Sequence, residues 1–468
     1  MRQGEVLKRL GKMAELFDDH SLLQLQASGV WQGQAFTLVG RLQYQYGEGT
    51  WSEWHALLAD GRSAYLSEDN GAYVFSTALT SQRALPSAEQ FRVGATTAIN
   101  GTTFSVASNQ SVALIAAQGE LPHLPPLGQS FAMVELRSQG TGAIGRDEGS
   151  VLSIDYSTQP PTASLGQPVL LDDLKLTGLR DAAVKDEKGR QFSCPNCGAT
   201  LTVTLAGSQS MSCGACHSLI DLSQGIGGEL KHALQDEPVQ PLIPLGSSGK
   251  LQGVDWQVVG FQHRMGTDPS DPDEQFGWEE YLLYNATRGF TFLVDSTEGW
   301  SLVKPITGAP VLGKNGQSAT YRGTSYPLKE SYQAETSYVA GEFYWQVTRG
   351  QQTANRDFAS GYSLLSMEQS ANEVTWSAGS KIDSVLVAKA FKLEGKKDLL
   401  QRSDAGPASA TKAVGCGTVI VLILVLLLFL FLISRCSSCD PQVENCSSSS
   451  ARSSGGSFGG FSSGGGHK

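Results

Sequence analysis

The chain has 468 residues, enough for two or three domains. A formal net charge of -10 and a pI near 5.3 exclude broad binding to nucleic-acid phosphates, which needs a basic surface. The 53 glycines, set among many Thr, Val, Tyr and Trp positions, point to short strands and turns rather than long helices.

Residues 1–29 include Lys8, Arg9, Leu10, Leu16 and Phe17 but no apolar core long enough for a signal peptide. They read as a helical or irregular segment, and the body of the chain is expected to stay in the cytosol. Residues 30–180 read as a first β domain. Residues 35–39 are a β-prone run closed by Gly40, and Leu42, Tyr44 and Tyr46 alternate with polar residues, the period of a half-buried strand. Gly47, Gly49 and Gly61 mark turns. The Trp and Tyr positions on such strands read as core or cross-strand pairs rather than as a ligand platform.

Residues 190–224 carry Cys194-Pro-Asn-Cys197 and Cys213-Gly-Ala-Cys216. Each knuckle brings two sulfurs from one tight turn to the same ion, and four thiolates suit tetrahedral zinc better than redox dithiols or an iron–sulfur cluster. Gly198 and Gly214 fit those turns, and Thr200 to Leu205 alternates as a strand between them. Cys194, Cys197, Cys213 and Cys216 are therefore the expected ligands of a structural zinc, since four ligands leave no position for a substrate water. His217 is surplus to that set and reads as a surface group or a neighbour of the ligands. The ribbon's strands carry Thr, Leu and Ser rather than Lys or Arg. A protein contact, or fastening of the flanking domains, is expected in place of nucleic-acid binding.

Residues 246–394 repeat the first domain. Val39-Gly40 matches Val259-Gly260, Trp51-Ser-Glu53 matches Trp278-Glu-Glu280, and Leu57-Leu58 answers Leu282-Leu283. Tyr65-Leu66 matches Phe292-Leu293, Gly119-Glu-Leu121 matches Gly341-Glu-Phe343, and Leu152-Ser-Ile-Asp155 matches Leu365-Ser-Met-Glu368. The order is kept throughout, so duplication is the economical reading. An acidic insertion with Asp268, Asp271 and Asp273 is peculiar to the second copy. It lacks calcium-loop spacing and reads as a solvated hairpin tip. The expected fold is mainly β: two related antiparallel sandwich- or barrel-like domains, a small zinc ribbon between them, and one C-terminal transmembrane helix.

The second copy, with Gly277-Trp-Glu-Glu-Tyr-Leu-Leu-Tyr284, Gly289-Phe-Thr-Phe-Leu293 and Gly341-Glu-Phe-Tyr-Trp345, resembles the bacterial domain-of-unknown-function family 4178. The first copy resembles it more loosely, with Pro122-His-Leu-Pro125 in place of the aromatic run after the Gly-Glu pair. The resemblance implies a bacterial protein of a kind that often carries zinc ribbons and C-terminal membrane segments. Its members tend to be encoded beside membrane-stress and polyamine-synthase-like proteins. No activity and no catalytic residue come with it.

A polar linker, residues 395–413, leads to an uncharged run rich in Val, Leu, Ile and Phe at 414–433. A helix of ~20 such residues spans a bilayer. Lys396, Lys397, Arg402 and Lys412 precede it and Arg435 and Arg452 follow, a bias that places the N-terminal body in the cytoplasm of a single-pass inner-membrane protein. Residues 434–468 form a Ser/Gly-rich tail too poor in apolar groups to fold. Its Cys436, Cys439 and Cys446 read as thiols or metal ligands on the cytosolic side, or as a disulfide across the membrane.

No nucleophile elbow, phosphate loop, zinc-protease or dinucleotide motif occurs. Glu53, Glu120, Glu280 and Glu342 recur in both copies, but nothing in the sequence brings two of them together. The expected function is a membrane-anchored, non-catalytic scaffold or sensor with protein partners. The alternative is an enzyme or small-ligand binder, for a polyamine or lipid-like molecule, in the cleft between the β domains.

Overall fold

Long antiparallel strands with alternating faces set the architecture. The computed structural model describes residues 21–47, 49–69, 72–138, 149–180, 190–205, 208–223, 230–235, 238–286, 288–307 and 309–402, apart from the side chains of residues 190, 272, 274 and 397. Residues 1–20, the linker beyond residue 402, the hydrophobic run 414–433 and the tail lie outside the described residues. Among the described residues no helix is long and apolar enough to cross a membrane.

The first copy contributes β1 (Gln34–Gln45), β2 (Thr50–Leu58), β3 (Ser63–Asp69), β4 (Ala72–Ala78), β5 (Thr102–Gly119), β6 (Ser130–Ser138), β7 (Val151–Asp155) and β8 (Thr162–Val169). Two four-stranded meanders join at β4–β8 and close at β1–β5 into an antiparallel barrel. The ribbon carries β9 (Arg190–Ser193), β10 (Thr200–Val203), β11 (Ser210–Ser212) and β12 (Leu219–Asp221). The second copy repeats the first with β13 (Val254–Asp268), β14 (Asp271–Asn285), β15 (Gly289–Ser296), β16 (Gly299–Ile306), β17 (Thr324–Phe343), β18 (Gln352–Ser360), β19 (Ser363–Gln369) and β20 (Val374–Ile382). It joins at β16–β20 and closes at β13–β17. The sandwich-or-barrel alternative resolves to two eight-stranded antiparallel barrels. The acidic insertion is the tip of the β13–β14 hairpin, where Asp268 accepts hydrogen bonds from the Ser270 backbone and hydroxyl.

The two registers correspond residue for residue. A bulge interrupts β1 between Leu38 and Gly40 and β13 between Val258 and Gly260. At the closing seam Gly40 faces Gly119 and Gly260 faces Gly341. Gly119 and Gly341 have φ of +78° and +89°, and a Cβ there would lie 2.2 Å from the Val39 carbonyl oxygen or 2.3 Å from that of Val259. Glycine is the residue that admits both the left-handed backbone and the close approach. This closure explains the Val-Gly and Gly-Glu matches. One pairing is out by two residues. With Gly40 and Gly260 in register, His55 stands with Leu282, and Leu57 with Tyr284.

Three large apolar clusters on the strands are covered by flanking chain, while Leu42, Tyr44 and Val112 belong to a further cluster that lines the interior. Trp54, Leu66 and Phe75 lie under Leu23, Ala27 and Leu174. Leu136 and Leu152 lie under Ala88, Phe91 and Ile99. In the second copy Trp256, Tyr281 and Trp300 lie under Val387 and Ala388 of α1 (Ser384–Ala390), with Phe391 and Leu400 beside them. Asp383 caps α1 by accepting from the Val385 backbone at 2.7 Å. Trp300 Nε1 donates to the Leu400 carbonyl at 2.7 Å, so the covering layer continues to that residue. The barrels meet where Arg137 of β6 donates to the Ile306 carbonyl at 3.0 Å and Asn109 donates to the Asn372 carbonyl at 3.2 Å.

Candidate functional site: a four-cysteine cluster and a shared cavity

The two Cys-x-x-Cys turns are built alike. In the first, Gly198 N donates to the Cys194 carbonyl and Cys194 N to the Ala199 carbonyl. In the second, His217 N donates to the Cys213 carbonyl and Cys213 N to the Ser218 carbonyl. Gly198 and His217 fill the same left-handed position, with φ of 75° and 60°. His217 tolerates it because its carbonyl accepts from Gln235 Nε2 at 2.7 Å and its Nδ1 lies 3.2 Å from the Tyr338 hydroxyl.

The sulfurs of Cys194, Cys197, Cys213 and Cys216 all lie within 4.8 Å of one another. Cys194 and Cys216 are 3.7 Å apart, as are Cys197 and Cys213. Bonds of ~2.3 Å to a tetrahedral ion place sulfurs ~3.8 Å apart, whereas a disulfide would need ~2.05 Å. The four thiols thus fit a single metal ion. Hydrogen bonds led by the Ser218 hydroxyl push the Cys216 thiol down to about 5, whereas the neighbouring thiols push Cys197 up and burial pushes Cys213 up.

This unit is bound to the second barrel. β11 pairs with the end of β17, Ser210 with Phe343 and Met211 with Glu342. The buried Glu342 carboxylate accepts from Thr204 N at 2.9 Å, the Thr204 hydroxyl at 2.6 Å, Leu205 N at 3.0 Å and the Ser208 hydroxyl at 2.8 Å. Gln235 fixes Val339 through both of its backbone groups. In the first copy the counterpart Glu120 offers its backbone carbonyl to His55 Nδ1 at 2.8 Å. The recurrent Gly-Glu pair therefore serves closure in both copies and ribbon binding in one.

The second site is built from residues that nothing in the sequence brings together. A cavity of about 930 Å³ takes wall residues from every strand of both barrels, so it is their shared interior. That volume lies in the range of small-molecule sites. Its walls mix aromatic, charged and aliphatic groups. In the second barrel Arg264 lies 3.0 Å from Glu368, 3.6 Å from Glu280 and 5.4 Å from the centre of the Trp278 ring. Trp278 Nε1 and Gln262 Nε2 also donate to Glu280. Burial pushes the Glu280 carboxyl up, with the Arg264 charge pulling against it. Asp357 is likewise raised by burial, although the Ser366 and Tyr332 hydroxyls donate to it at 2.6 and 3.0 Å.

In the first barrel Glu53 reaches into the same cavity, and burial, then the charge of Asp155, pushes its carboxyl up to about 7. Near the junction Asp69, open to the cavity, is pushed up to about 7 by burial and by Glu373 and Glu135, with Arg137 opposing. Arg137 lies 2.7 Å from Glu135. Of the carboxylates that recur in both copies, Glu53 and Glu280 face the cavity, whereas Glu342 holds the ribbon. Asp155, Glu368, Tyr44 and Arg264 complete the walls. Asp155 and Glu368 stood in matched stretches, the signal from which their role could have been found.

These features define a duplicated β-barrel protein with a four-cysteine module and a partly open cavity lined by both polar and apolar groups. The family described as domain of unknown function DUF4178 matches residues 24–171 and 244–384, more than half of the chain. The chain belongs to that family, in two copies. No curated protein and no solved structure matches it.

Proposed function

We propose that the protein is a non-catalytic, zinc-stabilised binding protein or sensor of a bacterial inner membrane, whose paired barrels enclose a small ligand. The observation that carries this reading is the cavity of about 930 Å³ walled by both copies. Eight-stranded barrels either fill with side chains or hold one small ligand, and here the interior leaves open space among aliphatic, aromatic and charged side chains. Binding is favoured over catalysis because Glu280, Glu368 and Asp357 are engaged by Arg264, Ser366 and Tyr332.

Zinc is the ion that four thiolates at these spacings suit, and it closes its own coordination. Its role is to fix the end of β17 on which the ribbon sits. The 414–433 run holds the body at the cytoplasmic face, and protein partners there read the ligand state.

Thermal unfolding of the full chain in a nonionic detergent, against fragment-sized amines, guanidines, alcohols and carboxylates, tests the reading. Ser153 lines the cavity, and Ser153→Trp obstructs its first-barrel part. Stabilisation by at least one class, lost in Ser153→Trp, is expected. No stabilisation by any class overturns ligand binding.

A further inference from the structure

Because the two barrels share one register, each interior side chain has a counterpart. Glu53 faces Leu42 as Glu280 faces Gln262. Asp155 faces Thr162 as Glu368 faces Thr375. Trp51 and Trp278 also correspond, but Trp51 faces Tyr44 and Trp278 faces Arg264. Two carboxylates and an indole are common to both copies, and the residue between them is not.

In the second barrel the Arg264 guanidinium lies 3.0 and 3.6 Å from the two carboxylates and over the indole. In the first, Tyr44 brings no charge. Its ring stacks on Trp51 with centroids 5.0 Å apart. Among the described residues Glu53 has no hydrogen-bond or ion-pair partner, while Asp155 accepts from Ser157 N at 2.6 Å. Arg137 is the one Lys or Arg that the described first barrel gives to the cavity wall, and it is paired with Glu135.

We propose that the first barrel binds an organic monocation, a guanidinium or primary ammonium group on an apolar stem, between Glu53 and Asp155 and against the Trp51–Tyr44 stack. This rests on the ligand-binding reading above and names its ligand class. The second barrel supplies the precedent, since equivalent carboxylates and an equivalent indole hold a guanidinium there as part of the chain. A cation offsets the burial of the Glu53 carboxylate and its repulsion by Asp155, and gains from the aromatic face. Leu42, Val112 and Met133 of the wall receive the apolar stem. Anions are rejected by the same charges.

The test is calorimetry of the full chain in nonionic detergent at pH 8 with n-butylguanidinium, n-butylammonium and neutral n-butanol. One cation per chain is expected to bind, with n-butanol at least tenfold weaker, and the tighter cation names the head group. Tyr44→Arg supplies its own guanidinium and abolishes binding, and Glu53→Gln weakens it at least tenfold. Should Tyr44→Arg fail to fold, Arg264→Tyr is the complementary variant, expected to raise the stoichiometry to two. The proposal is overturned if neither cation binds, or if Glu53→Gln binds as tightly as the parent chain. Binding of n-butanol as tightly as the cations overturns the cation site and leaves ligand binding standing. Failure of every probe here and in the fragment screen removes both.

Discussion

Replacing Glu342 by Ala removes the acceptor that ties the ribbon to the second barrel. Glu342 is 7% exposed and accepts four hydrogen bonds, two from the Thr204 and Leu205 backbone and two from the Thr204 and Ser208 hydroxyls. A hydrogen bond to a charged group contributes ~1.5–3 kcal/mol, and donors left buried without a partner add their desolvation cost. The four act as one unit and do not sum, so a loss of about 3–5 kcal/mol is expected. The loss is local, because the β11–β17 pairing and the Gln235 bonds remain. Opening of the ribbon should therefore become about 10²–10⁴-fold more frequent while the barrels keep their own unfolding transitions. Hydrogen exchange at the Thr204 and Leu205 amides measures the opening directly, and metal release to a chromophoric chelator measures its consequence. Glu342→Gln, which keeps one carbonyl acceptor, should fall between. Wild-type exchange at those two amides in Glu342→Ala would refute the reasoning.

Glu53→Gln should stabilise the chain at high pH. With its carboxyl pushed up to about 7 by burial from an ordinary value of 4.5, the native state holds a proton that the unfolded chain has released, so Glu53 lowers stability as pH rises from ~4.5 to ~7. Asp155, Tyr44 and Tyr65 are the titratable groups around it. The shift caps the gain at roughly 3 kcal/mol at pH 8, less with water in the cavity, and it vanishes at pH 4. Urea unfolding at the two pH values checks this, and equal effects at both would exclude it. Gly341→Ala should cost about 3 kcal/mol, because its Cβ meets backbone at 2.3 Å. Gly33→Ala, at φ +80° in open space, should cost only ~1 kcal/mol, and thermal unfolding compares the two. Cys213→Ser should reduce the metal content of the purified chain from one ion to less than a tenth of that by elemental analysis. Full retention would rule out a four-thiolate site.

The duplication was legible because the matched residues carry geometry that cannot vary. Gly119 and Gly341 admit no side chain, and their partners Val39 and Val259 are bulged. The pairing of Leu57-Leu58 with Leu282-Leu283 went astray by two residues, since a shift of two leaves every side chain on the same face and disturbs no alternation. Alternation also gives the two faces of a strand without saying which looks inward. Trp54 and Trp51 lie on opposite faces of β2, one under Leu174 and the other in the cavity wall, and nothing local distinguishes them. The cysteine cluster was legible because its chemistry lies in short spacings. Its attachment was not, because Glu342 meets Thr204 and Ser208 across more than 130 residues of chain.

Shared closure has a consequence for how such a chain assembles. With the same bulge and the same paired glycines at the seam, β1 and β13 offer similar edges, and backbone pairing alone discriminates poorly between correct and exchanged partners. The outer coverings do discriminate. Phe36 and Trp54 belong under Leu174, and Trp256 and Tyr281 under α1, surfaces contributed by unrelated stretches of chain. The identity of each copy is therefore written on its outside, and native strand partnering is secured when those flanking segments close rather than when the hydrogen-bonded edges first meet.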